Sequence, residues 1–223
     1  MIELICCRGG CRAIAPLVLA AGWRYGARLP SPVYAPLYFA DQDWKKPQGA
    51  RYLSELARHR PSVATVLDID RPSQLPAVLS LAEEAAEYVQ TVVLIPKISG
   101  IIPSLPKRIG TARVVLGYSV PTKYGGTLVP LPEFKHRPVH LLGGSPQKQM
   151  QIAEDLDVVS VDGNMMGLHA NRCRTWQRQK VKRSPWVQLR DLDPYWQGSG
   201  AYLECFRRSL YEIREAWRER GFL

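Results

Sequence analysis

The sequence is short of cysteines, acids and long apolar runs, and each shortage excludes a class of protein. Five cysteines are an odd number for a disulfide framework; Cys6, Cys7 and Cys11 crowd near the start, while Cys173 and Cys205 stand alone. Structural zinc takes four ligands, usually as two spaced pairs, and no second pair with that spacing follows. The thiols therefore read as free, in a chain expected to sit in a reducing cytoplasm. No apolar stretch approaches the roughly 18 residues needed to span a bilayer, so no membrane segment is expected. The first seven residues carry Glu3 and no basic residue, unlike a secretory leader. Internal repeats and low-complexity tracts are missing, which excludes solenoids and biased linkers. Acids are outnumbered, with 20 Asp and Glu against 30 Lys and Arg, for a formal net charge of +10. Such a charge attracts polyanions, so nucleic acid is the expected partner.

What is present points to one α/β domain. The 223 residues are 46% hydrophobic, enough to bury a core. Short runs rich in β-branched residues recur at Ile2–Cys6, Val33–Phe39, Val63–Leu67, Thr91–Ile95, Arg113–Leu116, Pro138–Leu142 and Val158–Val161. Most are apolar at successive positions, the mark of strands buried on both faces of a parallel sheet. Helical patterns fall between them at Pro16–Ala21, Gly49–His59, Ser73–Tyr88 and Ser145–Leu156. The last opens Ser-Pro, an N-cap followed by proline at the first helical position. This β-α-β-α rhythm predicts a parallel α/β fold. The proline- and glycine-rich stretches 97–110 and 118–132 interrupt it as irregular connections.

In parallel α/β folds, functional side chains gather beyond the carboxyl ends of the strands. Asp41 and Asp43 follow one predicted strand, Asp68 and Asp70 another, and Asp162 and Asn164 a third. Lys97, Gly117 with Tyr118, and Gly143 with Gly144 end the others. An aspartate after a strand is often only a helix cap. Three such strand ends meeting at one mouth would supply a nucleophile, a general acid/base and an acceptor for a ligand edge. Beyond Asn171 the character changes, giving expected units 1–170 and 171–223. Arg172, Arg174, Arg178, Lys180, Lys182 and Arg183 arrive without an acid among them, interleaved with Trp176 and Trp186. That segment is expected to carry phosphates and stack bases. The alternative is a solvated linker with its tryptophans packed inward. A final helix, Tyr202–Arg220, has one apolar stripe for docking and an arginine face.

The segment VHLLGGSPQKQM from Val139, followed by DVVSVD ending at Asp162, resembles the tRNA-guanine transglycosylase superfamily. There a strand ending Leu-Gly leads through a small residue and proline into a helix, then to a strand ending in the nucleophilic aspartate. Phe39-Ala40-Asp41 resembles the segment with the acid/base aspartate. Val66-Leu67-Asp68 resembles the strand whose aspartate reads the purine edge. Val115-Leu116-Gly117-Tyr118 resembles the strand whose glycine turn meets the base. The resemblance implies a TIM-type (β/α)8 barrel, reduced and irregular, with a basic C-terminal helical extension. It also implies that Asp162 attacks C1′, that guanine is expelled, and that a 7-deazaguanine base such as preQ0 takes its place. Asp70, Lys97, Gly143, Gly144 and Asn164 would join Asp68 in the substrate pocket. No cofactor or metal is implied.

The family's zinc-binding insertion has no counterpart here. Its serine- and glycine-rich turn is Gln42-Asp43-Trp44, and its glutamine after the middle strand is Pro96-Lys97. A short zinc-free chain looks more like the 7-deazaguanine DNA transglycosylases, the DpdA-like branch, so DNA is expected before tRNA, with other subunits of a modification system as partners. Two rivals stand beside this reading: a nucleic-acid-binding accessory subunit without catalysis, and a glycosylase using water as acceptor.

Overall fold

A computed structural model describes residues 1–7, 11–43, 45–123, 125–181, 184–196 and 198–223. In chain order the elements are β1 Glu3–Cys7, α1 Ile14–Ala20, β2 Arg24–Leu29, β3 Phe39–Gln42, α2 Gly49–His59, β4 Val63–Ile69, α3 Leu75–Ala86, β5 Thr91–Pro96, β6 Arg108–Ile109, β7 Ala112–Ser119, β8 Val139–Leu142, α4 Pro146–Ala153, β9 Val158–Gly163, α5 Met165–Ala170, β10 Arg174–Val181, β11 Ser184–Gln188, α6 Leu189–Leu192 and α7 Ala201–Glu219. Strands β1 to β5 pair in sequence, β5 pairs with β7, and β7, β8 and β9 follow; β9 returns to β1. All these pairings are parallel. The result is a closed eight-stranded TIM-type barrel, with the short β6 antiparallel on the flank of β7.

Closure explains the doubly apolar strands. Residues such as Leu4, Ala40, Ala64, Val92 and Leu116 meet the surrounding layer in one large buried cluster. Their alternates Ile5, Phe39, Val63, Val93 and Ile95 form a second, smaller cluster. That second cluster is the barrel interior: Phe39 of β3 stacks on His140 of β8, ring centroids 4.9 Å apart, across strands that are not neighbours. Side chains alternate along a strand, so Cys7, Arg28, Asp41 and Asp162 also point inward, one layer nearer the C-terminal rim.

Several expected elements move. No strand covers Val33–Phe39; β3 begins only at Phe39, and residues 30–38 are irregular. Pro36 has no N–H for a central ladder, which disqualifies that run. The strand in its place, β2, was invisible as an apolar run because Arg24, Gly26 and Arg28 face inward. Gly26 has a steric reason to lack a side chain: a Cβ there would sit 3.0 Å from Ile5 and 3.2 Å from Phe39. The helical run expected from Ser73 also starts later, at Leu75. Ser73 lies in a short 3-10 turn, Pro72–Gln74, and the Gln74 side chain accepts from the Asp70 and Arg71 N–H groups. Ser145 does cap α4, accepting from Lys148 N at 3.3 Å, with Pro146 next.

The chain beyond Asn171 shares the barrel's core. Trp176, Phe206, Leu210, Ile213 and Trp217 lie in the same buried cluster as the barrel's outer face. The α7 helix packs against α1 and α5. Trp23 Nε1 donates to Leu210 O, and Ile2 N donates to Phe222 O, tying the end of α7 to the N-terminal rim.

Candidate active site at the barrel mouth

A cavity of about 560 Å³ opens at the C-terminal ends of the strands. That is within the roughly 300–1,000 Å³ typical of small-molecule sites. Its walls include Asp41, Asp68, Asp70, Lys97, Gly143, Gly144, Asp162 and Asn164, so eight residues singled out in the sequence meet in one place. Cys7, Arg28, Gln42 and Thr65 join them.

Asp41 and Asp162 reach the cavity from β3 and β9, with β2 and β1 between them. Asp41 accepts from Thr65 Oγ1 at 3.1 Å and lies 3.5 Å from the Arg28 guanidinium. Burial and the nearby charge of Asp162 outweigh those partners and push its pKa up to about 7. It is therefore poised to give and take a proton near neutrality. Asp162 is held differently. Gly143 N donates to its Oδ1 at 3.2 Å, and the buried Gln149 amide donates to its backbone carbonyl at 2.7 Å and to Gly143 O at 2.8 Å. Gly143 and Gly144 have φ of +63° and +83°, the left-handed region that favours glycine. This bend turns the Gly143 N–H onto the carboxylate. Among the described residues no hydrogen-bond donor is placed on Asp162 Oδ2, leaving that oxygen free to react.

Behind Asp162, wholly buried, lies His140. Its Nδ1 is 2.8 Å from Ser160 Oγ and its Nε2 is 3.3 Å from Asp162 Oδ1. A serine, a histidine and an aspartate in a row resemble a nucleophilic triad, but Ser160 is buried and outside the cavity walls. Its hydroxyl has no access to a substrate.

Asp68 faces the cavity because of an irregularity. Thr65 and Asp68, three residues apart on β4, would face opposite sides of a regular strand. A register shift against β5 between them brings both inward. Lys97 Nζ sits 3.4 Å from Asp68 Oδ2. Burial raises the Asp68 pKa, and Lys97 works against that rise. Cys7 lies between the two catalytic candidates; burial, Asp41 and Asp162 drive its thiol pKa well up, so it is a neutral thiol.

Two expected site residues fall elsewhere. Tyr118 points outward and packs edge-to-face on Phe134, centroids 5.0 Å apart. Gly117 faces inward below the cavity: a Cβ would come within 2.8 Å of both Ile95 and Leu142, which line it. Gly117 thus shapes the floor instead of meeting a ligand. Sequence reasoning missed Arg28, Thr65, His140 and Gln149. Arg28 sits on the unrecognised β2, and the other three were hidden in apolar or helical segments.

The segment expected to bind nucleic acid is an antiparallel hairpin, β10–β11. Trp176 is buried against α7, where its backbone N–H donates to Ser209 Oγ at 3.0 Å, so it is no base-stacking surface. Trp186 is half-buried and stacks on His169 at 3.8 Å. Arg178 pairs with Glu212 and Glu219. Those acids lie on the half of α7 that leads to the N-terminal rim, away from the cavity. Arg172 is exposed, Arg174 is half-buried, and neither lines the cavity. Lys182 and Arg183 lie outside the described residues, as does the side chain of Lys180. Among the described residues no helix is long and apolar enough to cross a membrane, and no cluster of metal-ligating side chains appears.

No curated protein and no solved structure matches this chain. One family model does, over residues 19–218, from within α1 to the last turn of α7; it therefore takes in the barrel mouth and the C-terminal hairpin together. By that match the chain belongs to the Family of unknown function (DUF6610).

Proposed function

We propose that this protein is a base-exchanging transglycosylase that replaces guanine in nucleic acid, DNA before tRNA, with a 7-deazaguanine. The observation that carries the reading is the unequal pair in one cavity: Asp41, held near its midpoint at neutral pH, and Asp162, with one oxygen anchored and the other free. Two carboxylates in different electrostatic settings are what a double displacement at an anomeric carbon needs. Asp162 attacks C1′ and the departing guanine takes the Asp41 proton. The incoming base then gives its ring N–H proton to Asp41 as it displaces Asp162 from the sugar. Asp68 accepts from the N–H groups of the purine edge, with Lys97 opposing the rise that burial gives its pKa. The target base must leave its stack to enter the cavity.

One observation favours the non-catalytic rival: Lys97 already occupies Asp68, so the reading edge is not free in the resting protein. Radiolabelled guanine separates the possibilities. Incorporation into DNA or tRNA is the expected result. Release without incorporation means a glycosylase, and tight binding with neither means an accessory binder.

A further inference from the structure

We infer that His140, backed by Ser160, is the positioning residue of Asp162: it turns the carboxylate so that Oδ2 faces the cavity, and it favours release of that carboxylate in the second displacement. The inference rests on the transglycosylase reading above. His140 is wholly buried in the barrel interior and braced by Phe39. A carboxylate only accepts, so the ring nitrogen facing it at 3.3 Å carries the hydrogen. That leaves Nδ1 to accept from the Ser160 hydroxyl at 2.8 Å. In the resting geometry Nε2 makes no hydrogen bond, which is uncommon for a buried polar atom. A small rotation of the Asp162 carboxylate closes the contact.

That rotation matters differently in the two steps. In the first, the Oδ2–C1′ bond forms as the C1′–N bond breaks, the Asp41 proton goes to guanine, and negative charge leaves the carboxylate. Oδ1 becomes an ester carbonyl, a weaker acceptor. In the second, the incoming base attacks C1′, its proton returns to Asp41, the C1′–Oδ2 bond breaks, and the charge returns to Asp162. Donors on Oδ1, from Gly143 and His140, stabilise the carboxylate as it leaves. Losing His140 therefore slows the second step more than the first, and the covalent intermediate accumulates.

The test uses the full chain with DNA or tRNA and a 7-deazaguanine, quenched with acid and resolved on a denaturing gel. His140→Leu should raise the trapped adduct fraction about ten-fold, the scale of one lost charge-assisted hydrogen bond. His140→Gln, which keeps an N–H, should lie near wild type, and Ser160→Ala between the two. An adduct fraction that is unchanged, or that falls with turnover, overturns the release role. Because a buried substitution can disturb folding, ¹⁵N NMR of the wild type gives a second arm. His140 should carry its hydrogen on Nε2, and that resonance should shift in Asp162→Asn. An unprotonated Nε2, or no shift, overturns the orienting role. Absence of any adduct in the wild type overturns the functional reading and the release role with it; the NMR result still decides the orienting role.

Discussion

At the mouth of the barrel, Asp41, Asp68 and Asp162 face one cavity from three different strands, each with few partners. Along α7, the cations that dominate the C-terminal sequence are matched to acids instead. Arg178 pairs with Glu212 and Glu219, Arg207 and Arg208 with Glu204, Arg218 with Glu215, and Arg220 with Glu154. Glu204 is held down to about pKa 2, chiefly by its bond to Arg207. The poorer-charged region by count is thus the one with unspent electrostatics. A linear sequence reports how many charges there are; the fold decides which of them remain available to a ligand.

The largest effect expected from this contrast comes from the mouth. Asp162→Asn should lower base exchange by at least about three orders of magnitude while nucleic-acid affinity stays within a few-fold, as for loss of a nucleophile. Exchange near the wild-type rate would remove Asp162 from that role. Asp41→Asn should cost about 10²- to 10⁴-fold, the range for a general acid/base. The wild-type rate is expected to fall above about pH 7, where Asp41 loses its proton, and Asp41→Asn should abolish that fall.

Stability carries a further signature of Asp41. A carboxyl whose folded-state pKa is raised is penalised when it ionises, so its contribution is favourable at low pH and is lost as pH rises from about 4 to about 7. The advantage of Asp41→Asn over wild type should therefore grow across that window, by about 4 kcal/mol in all at pH 8. Denaturant titrations at pH 5 and pH 8 measure it; equal differences at both would show that Asp41 titrates normally.

On the other side of the comparison, Trp176→Ala should destabilise the protein by about 3–5 kcal/mol, as for truncation of a buried aromatic. A loss of nucleic-acid binding at unchanged thermal stability would instead make Trp176 a stacking surface. Two sets of charge reversals give the smallest and most discriminating effect. Arg71→Glu with Lys148→Glu, both exposed beside the cavity, one after β4 and one in the first turn of α4, should weaken polymer binding more than Lys180→Glu, Lys182→Glu and Arg183→Glu together. Each phosphate contact removed should flatten the log–log salt slope by about 0.9. Filter-binding titrations over a salt series compare them, and the reverse ranking would return the polymer to the hairpin.

Much of the fold was legible because a barrel strand buried on both faces has no polar alternate to hide it. The strands near residues 2–6, 63–67, 91–95, 113–116, 138–142 and 158–161 all emerge in the structure within a few residues. Two strands are exceptions: β3 begins only at Phe39, where the expected run ended, and β2 lines the polar upper interior with Arg28 and so lacks the apolar signature. The aspartates were legible for the same reason, as polar interruptions at the ends of apolar runs. Arg28 and Thr65 as partners of Asp41, and His140 behind Asp162, were not, because each becomes significant only through a neighbour on another strand. Tyr118 was misplaced by one position: in a strand, adjacent residues face opposite sides, and it is Gly117 that faces in.

By itself the sequence determined the parallel α/β class, the alternation of most of its barrel strands with helices, and which strand ends carry carboxylates, since these follow from local periodicity and capping. Only the tertiary structure decided which carboxylates meet, which titrates near neutrality, and which cations are matched to acids. Those depend on closure of β9 onto β1, on a register shift within β4 and on the docking of α7. They are distances and burial between residues far apart in the chain, and local sequence does not encode them.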